Sequence, residues 1–221
     1  MIDAVLFDLD ETLLDRTTSL RSFLLDQYGR LINRLGQVNF PAWERRFLEL
    51  DGRGSVPKSQ VYPALLSEFG GEPDAAEMLL NDYAMGCCRH ARPFPAMADV
   101  LRALRKSGKA LAVVTNGESA FQRRHIEALQ LNTLVDAVLV SEEERLRKPD
   151  PKIFLRAASR LAIEPGHCLF VGDNPASDIL GAAGAGMQTL WFRCGQAWPS
   201  HLHANHGPTI ETLPEVLIFA Q

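Results

Sequence analysis

Ala4-Val5-Leu6-Phe7-Asp8-Leu9-Asp10-Glu11-Thr12 opens the chain with four apolar residues that run straight into two carboxylates. A continuous apolar run of this length, carrying Val and Phe, predicts a strand buried on both faces, as in a parallel sheet. Strand periodicity then puts Asp8 and Asp10 on the same side. In an open parallel sheet, ligands collect beyond the carboxyl ends of the strands, so an Asp-x-Asp at that end is placed for chemistry rather than for packing. Two carboxylates this close repel unless a cation lies between them or one keeps a proton. The pair predicts a hard metal ion, acid–base work, or both.

Outward from this strand, the pattern after Arg92-Pro93-Phe94-Pro95 alternates. A helix bearing Val100, Leu101 and Leu104 ends at Gly108, and a strand over residues 110–114 runs into Thr115-Asn116-Gly117. A helix across Phe121, Ile126 and Leu129 follows, then a strand over 137–140 and a helix from Pro151 to about Leu161. A strand over 168–171 ends at Gly172-Asp173, a Gly- and Ala-rich helix reaches about Ala185, and a last core strand spans 188–192. Strict alternation implies right-handed crossovers and a parallel sheet covered on both faces.

Between the first strand and this alternation lie four helical patterns without a strand. The first carries Leu20, Phe23, Leu24, Tyr28, Leu31, Ile32 and Leu35, starts near Thr18 or Ser19 and stops at Gly36. The second follows Asn39-Phe40-Pro41 and breaks at Asp51-Gly52-Arg53-Gly54-Ser55. The third carries Val61, Tyr62, Leu65, Leu66 and Phe69 before Gly70-Gly71, and the fourth Ala76, Leu79, Leu80 and Tyr83. The expected architecture is α/β, a Rossmann-like parallel-sheet core of residues 1–16 and 92–221 with an all-α insertion over 17–91.

Composition narrows the partners. The 221 residues are 46% hydrophobic, ample for a core, and carry a net charge of −4 with a pI near 5.9. That balance disfavours a nucleic-acid polymer or an anionic membrane and favours a small substrate. Met1-Ile2-Asp3 leads directly into the first strand, leaving no space for a charged leader with an apolar core, and no later apolar run is long enough to span a bilayer, so a soluble, cytoplasmic protein is expected. Cys87, Cys88, Cys168 and Cys194 read as free thiols, since two are adjacent and a third lies in a buried strand. His201-x-His203-x-x-His206, set among Pro199, Asn205, Gly207 and Pro208, reads as a solvated loop before it reads as a metal site.

Parallel strands bring the polar residues that follow them to one edge: Asp8 and Asp10, Thr115, the region of Lys148, and Asp173. Thr115 offers a hydroxyl, and Asn116 and Gly117 offer backbone amides leading into a helix, the equipment for holding phosphate oxygens. Lys148 adds a positive charge, and Asp173 and Asp178 bring two more carboxylates around a helix start. Each element alone has a structural explanation; all four in this order, each at the same end of a strand, point to one site.

In these residues the sequence resembles the haloacid dehalogenase-like hydrolases. Asp8-Leu9-Asp10-Glu11-Thr12 matches the family's first motif, Thr115 its second, Lys148 its third, and Gly172-Asp173 through Asp178 its fourth. The insertion after the first motif is similar to the helical cap of one subfamily, as are Lys148-Pro149-Asp150-Pro151-Lys152-Ile153-Phe154 and Val171-Gly172-Asp173. The resemblance implies that Asp8 is a nucleophile forming an aspartyl-phosphate. It implies that Asp10 protonates the leaving alcohol and later takes a proton from water, a task that calls for a pKa nearer neutrality than that of a free Asp. Mg²⁺ would bind the Asp8 carboxylate, the Asp10 backbone carbonyl and Asp173, with Asp178 supporting it, and Thr115 and Lys148 would hold the phosphoryl oxygens.

Asp10 argues against a carbon-attacking haloacid dehalogenase, which lacks the second aspartate. A β-phosphoglucomutase-like phosphomutase and a catalytically retired binding protein stand as alternatives, while a receiver-type phospho-aspartate switch needs no such insertion. A cap implies a lid that excludes water and selects substrate, with Arg53, Ser55 and Lys58 as candidates to contact the leaving group. Thr-Asn-Gly together with Ser141-Glu142-Glu143 resembles nucleotide 5′-monophosphatases and phosphoglycolate phosphatases, so the expected substrate is a small phosphorylated metabolite.

Overall fold

The computed structural model describes residues 1–202 and 207–221, so His203 and His206 of the histidine tract lie outside the described residues, and His201 is exposed. The chain divides into two compact units, one formed by Met1–Arg16 with Arg92–Gln221 and the other by Thr17–Ala91.

Strand β1 (Ala4–Phe7) is followed by four helices, α1 (Arg16–Leu31), α2 (Phe40–Asp51), α3 (Lys58–Phe69) and α4 (Ala75–Gly86). Their ends obey local chemistry. Asn39 caps α2 by accepting the Ala42 N–H at 3.0 Å, with Pro41 in the first turn, and Gly70 ends α3 in the left-handed conformation at φ 68°. Phe23, Trp43, Phe47 and Tyr62 are buried in this unit, and the Phe47–Tyr62 and Phe23–Tyr83 ring pairs meet edge to face at 5.4 and 5.7 Å. Gln27 is buried among them with its amide used on both sides. It donates to the Leu79 carbonyl and to Asp82, and accepts the Tyr62 hydroxyl at 2.8 Å.

The larger unit continues with α5 (Met97–Lys106), β2 (Ala110–Thr115), α6 (Ser119–Ala128), β3 (Ala137–Val140), the single-turn α7 (Ser141–Glu144), α8 (Pro151–Arg160) and β4 (Cys168–Gly172). A π-helical turn (Pro175–Leu180) runs into α9 (Gly181–Gly184), then come β5 (Gln188–Phe192), β6 (Thr209–Ile210) and α10 (Val216–Phe219). The strands form one parallel sheet in the order β3-β2-β1-β4-β5-β6. The fold is therefore the expected Rossmann-like α/β sheet, extended by one strand. β6 pairs only Thr209 and Ile210 with Trp191 and Phe192, too short a run to leave a periodic signal in sequence.

β1 is wholly buried because it lies mid-sheet, with Ala4 opposite Ala110 on one side and Cys168 on the other. Ala4 and Leu6 pack on one face with Ala112, Val114, Phe170 and the inner side of α8, where Phe154 meets Phe170 edge to face at 4.9 Å. Val5 and Phe7, equally buried, alternate to the opposite face. The chain leaves β1 towards β2 on one side and returns to β4 on the other. This reversal of strand order opens a crevice beyond the carboxyl end of β1. Among the described residues no helix is long and apolar enough to cross a membrane, and all four cysteines are free thiols.

Candidate active site

Asp8 follows the last residue of β1 and continues the ladder, its N–H donating to the Val171 carbonyl at 2.9 Å. The next turn folds back tightly, with the Leu13 and Leu14 N–H groups both donating to the Leu9 carbonyl and Glu11 at φ 59°. Across the crevice Lys148 reaches in from the loop after α7. Its Nζ lies 2.6 Å from Asp8 Oδ1 and 2.8 Å from Asp178 Oδ1, with all three side chains buried.

Asp8, Asp173 and Asp178 each offer a carboxylate oxygen within 4.8 Å of the others, the one cluster among the described residues with a metal-holding spacing. Asp178 and Asp173 are fixed from behind. Asp178 accepts the Asn174 N–H at 3.0 Å and the Ser177 hydroxyl at 3.2 Å, while Asn174 itself caps the π-helical turn through the Ala176 and Ser177 N–H groups. Asp173 has its carbonyl held by the Trp191 indole N–H at 2.9 Å and its carboxylate by Gln196 at 3.3 Å. Gly172 is required for this closeness. A Cβ there would lie 2.5–2.7 Å from the Asp178 side chain.

Burial pushes the Asp8 carboxyl well above the usual carboxylate range; Lys148 opposes this, and Asp178, Asp173 and Asp10 add repulsion. For Lys148 burial favours the neutral amine, but Asp178 and Asp8 outweigh it and raise its pKa, so the ammonium persists. The three clustered carboxylates face one ammonium, which leaves two negative charges when all are ionised. Oxygen donors in that number and charge suit a hard divalent cation.

The remaining motif residues have more specific partners than their sequence suggests. Asn116 forms a reciprocal pair with the Lys148 backbone, donating Nδ2–H to its carbonyl at 3.0 Å and accepting its N–H on Oδ1 at 2.9 Å. The Gly117 N–H, expected to face phosphate, donates instead to Ser141 Oγ at 3.0 Å. Thr115 is buried at the end of β2, and its Oγ1 accepts from Gln122 Nε2 at 2.9 Å. Asp10 also accepts from Gln122 Nε2, at 2.7 Å.

In the helical unit, Arg53 is exposed at φ 56° and Ser55 donates to the Gly52 carbonyl at 2.7 Å. Lys58 pairs with the buried Asp51 and lies 5.5 Å from the Tyr83 ring centroid.

Gln122, Trp191 and Gln196 are site-supporting residues that the motif reading passes over. A signal existed for the first: the buried stripe of α6 is Gln122, His125 and Ile126, so a polar residue stands where the helical period puts a core one.

A doubly wound sheet with a lysine-bridged carboxylate cluster beyond its central strand defines an α/β protein equipped to hold a divalent cation at the carboxyl end of its strands. The haloacid dehalogenase-like hydrolase family model matches residues 2–186, and the chain belongs to that family. It is 30% identical over 203 residues to glyceraldehyde 3-phosphate phosphatase of Methanopyrus kandleri, covering 89% of this chain and 86% of that one. It is also 30% identical over 199 residues to pyrimidine 5′-nucleotidase YjjG of Escherichia coli, covering 86% and 85%. The magnesium-bound structure of the HAD-hydrolase YfnB from Bacillus subtilis shares the fold at a TM-score of 0.77 and 24% identity, over 100% of this chain and 99% of that one. The chain is an enzyme, a phosphatase of this family.

Proposed function

We propose that the enzyme hydrolyses a small phosphate monoester with Mg²⁺ through a phosphorylated Asp8. The observation that carries the reading is the buried cluster in which Lys148 bridges Asp8 and Asp178 beside Asp173. Mg²⁺ would be held by the carboxylates of Asp8, Asp173 and Asp178 with the Asp10 backbone carbonyl, and when bound it supplies positive charge to the phosphoryl oxygens. Asp8 then attacks phosphorus, and the ester oxygen leaves with a proton from Asp10. Asp10 next takes a proton from the water that hydrolyses the acyl phosphate, which returns Asp8 as a carboxylate. Thr115 and Lys148 hold the transferring oxygens throughout, with Asn116 fixing the Lys148 backbone.

The substrate is a small diffusible metabolite in the cytoplasm, a nucleoside monophosphate or a short phosphorylated acid or aldehyde of the phosphoglycolate kind. Relatives named for a triose phosphate and for pyrimidine nucleotides support that size class. The Thr17–Ala91 unit serves as the cap in this reading, with Arg53, Ser55 and Lys58 as candidate contacts to the leaving group. Phosphate release from a panel of nucleoside monophosphates, sugar phosphates and phosphoglycolate, with Mg²⁺ and with chelator, is the test. Turnover is expected only with Mg²⁺, and only in a protein that keeps Asp8. Release unaffected by chelation would overturn the metal assignment, and turnover by Asp8→Asn would overturn the nucleophile.

A further inference from the structure

Gln122 is the most deeply engaged polar residue near the cluster that the mechanism above does not use. It sits one turn into α6 and is 3% exposed, and its Nε2 faces three acceptors: Asp10 Oδ2 at 2.7 Å, Thr115 Oγ1 at 2.9 Å and the Asn116 carbonyl at 3.0 Å. These neighbours dictate which way the amide lies. Turned over, it would press a carbonyl oxygen against a carboxylate, a hydroxyl oxygen and a backbone carbonyl, two of which can only accept. In the orientation present, its Oε1 is buried and meets no donor among the described residues. An unpartnered buried acceptor is costly, so packing alone would favour an apolar side chain of the same length here. The backbone is shaped around this residue too. A Cβ on Gly117 would lie 2.8–3.1 Å from the Gln122 side chain, and Gly117 has φ 156°.

We propose that Gln122 is a positioning residue for phosphoryl transfer, a single amide that orients both the proton donor to the leaving group and the hydroxyl that holds the phosphoryl oxygens. The inference rests on the phosphatase reading, with Asp10 as general acid. Donation to Asp10 Oδ2 fixes the rotation of that carboxyl group and leaves its other oxygen to meet the leaving ester oxygen. Donation to Thr115 Oγ1 fills an acceptor position on the hydroxyl, so that its own O–H is directed away from Gln122. Positioning of this kind acts on rate through small displacements of the reacting groups.

The test separates orientation of the acid from simple support of the fold. Gln122→Met keeps the length and packing on Gly117 but removes both N–H groups and the unpartnered oxygen, so its thermal midpoint is expected to match or exceed that of the parent. The kcat/KM values for an alkyl phosphate and for p-nitrophenyl phosphate are then compared. An alkoxide needs a proton as it leaves and p-nitrophenolate does not, whereas misorientation of Thr115 slows both alike. The ratio of alkyl to p-nitrophenyl kcat/KM is expected to fall by about tenfold, a fraction of the ~10²–10⁴-fold that general acid–base catalysis supplies. In an Asp10→Asn background Gln122→Met is expected to leave that ratio unchanged. A folded Gln122→Met that loses both esters equally, or loses neither, overturns the proposal while the parent's activity on both upholds the phosphatase reading. A parent that hydrolyses neither ester overturns both.

Discussion

Lys148 shows how much one side chain can carry. Its ammonium touches Asp8 and Asp178, its backbone is gripped on both sides by Asn116, and Phe170 lies beneath it with its ring centroid 5.5 Å from Nζ. Lys148→Met removes the ammonium that bridges Asp8 and Asp178, and kcat is expected to fall by about 10²–10³-fold, as when a single preorganised charge-stabilising group is lost. Steady-state kinetics at saturating Mg²⁺ measure this, and a Met variant within threefold of the parent would exclude Lys148 from the chemistry. That Lys148, Asp8, Asp173 and Asp178 would meet was legible in the sequence because each lies in a loop that follows a strand, where topology decides which residues come together. The contacts of Gln122 were not, because they depend on which way one amide faces inside a helix. The partner of the Gly117 amide was out of reach for a similar reason: Ser141, 24 residues along the chain, takes the donor.

At the scale of elements, α6 turns two polar side chains inward. His125 is buried beside Gln122, with its Nδ1 2.9 Å from the Phe121 carbonyl and its ring 4.5 Å from that of Phe121. Burial lowers its pKa, against the smaller opposing effect of the Phe121 carbonyl. Below the unfolded value of about 6.5 the unfolded chain takes up a proton that the folded chain resists, so this residue's contribution to stability is complete above that pH and is lost as pH falls below it. Urea midpoints at pH 7.5 and 5.5 are expected to differ less in His125→Leu than in the parent, and an unchanged difference would contradict the assignment. The strands and the four long helices of the inserted unit could be read from hydrophobic period and from breakers such as Gly70 and Pro41. The short elements could not: β6 has two residues, α7 has four, and the turn after β4 is π-helical with its opening peptide groups bonded by Asn174 and Asp178.

For the whole molecule, the order β3-β2-β1-β4-β5-β6 explains why residues far apart in the chain form one site. β1 is central, the crossovers leave it in opposite directions, and the loops after β1, β2 and β4 and the loop bearing Lys148 converge beyond its end. The same arrangement explains where sequence reading ends. Core motifs are tied to strand ends, whereas the inserted helices over Thr17–Ala91 contain no strand, so no register says what Arg53, Ser55 or Lys58 reaches. In the proposed mechanism Asp8 carries the phosphoryl group between two chemical steps. Acid-quenching the enzyme within milliseconds of adding a ³²P-labelled phosphate ester and Mg²⁺ tests it most directly. Label bound to the protein, released by hydroxylamine and absent from Asp8→Asn, is the expected result. Rapid phosphate release with no label on the protein, or label that persists in Asp8→Asn, would contradict it.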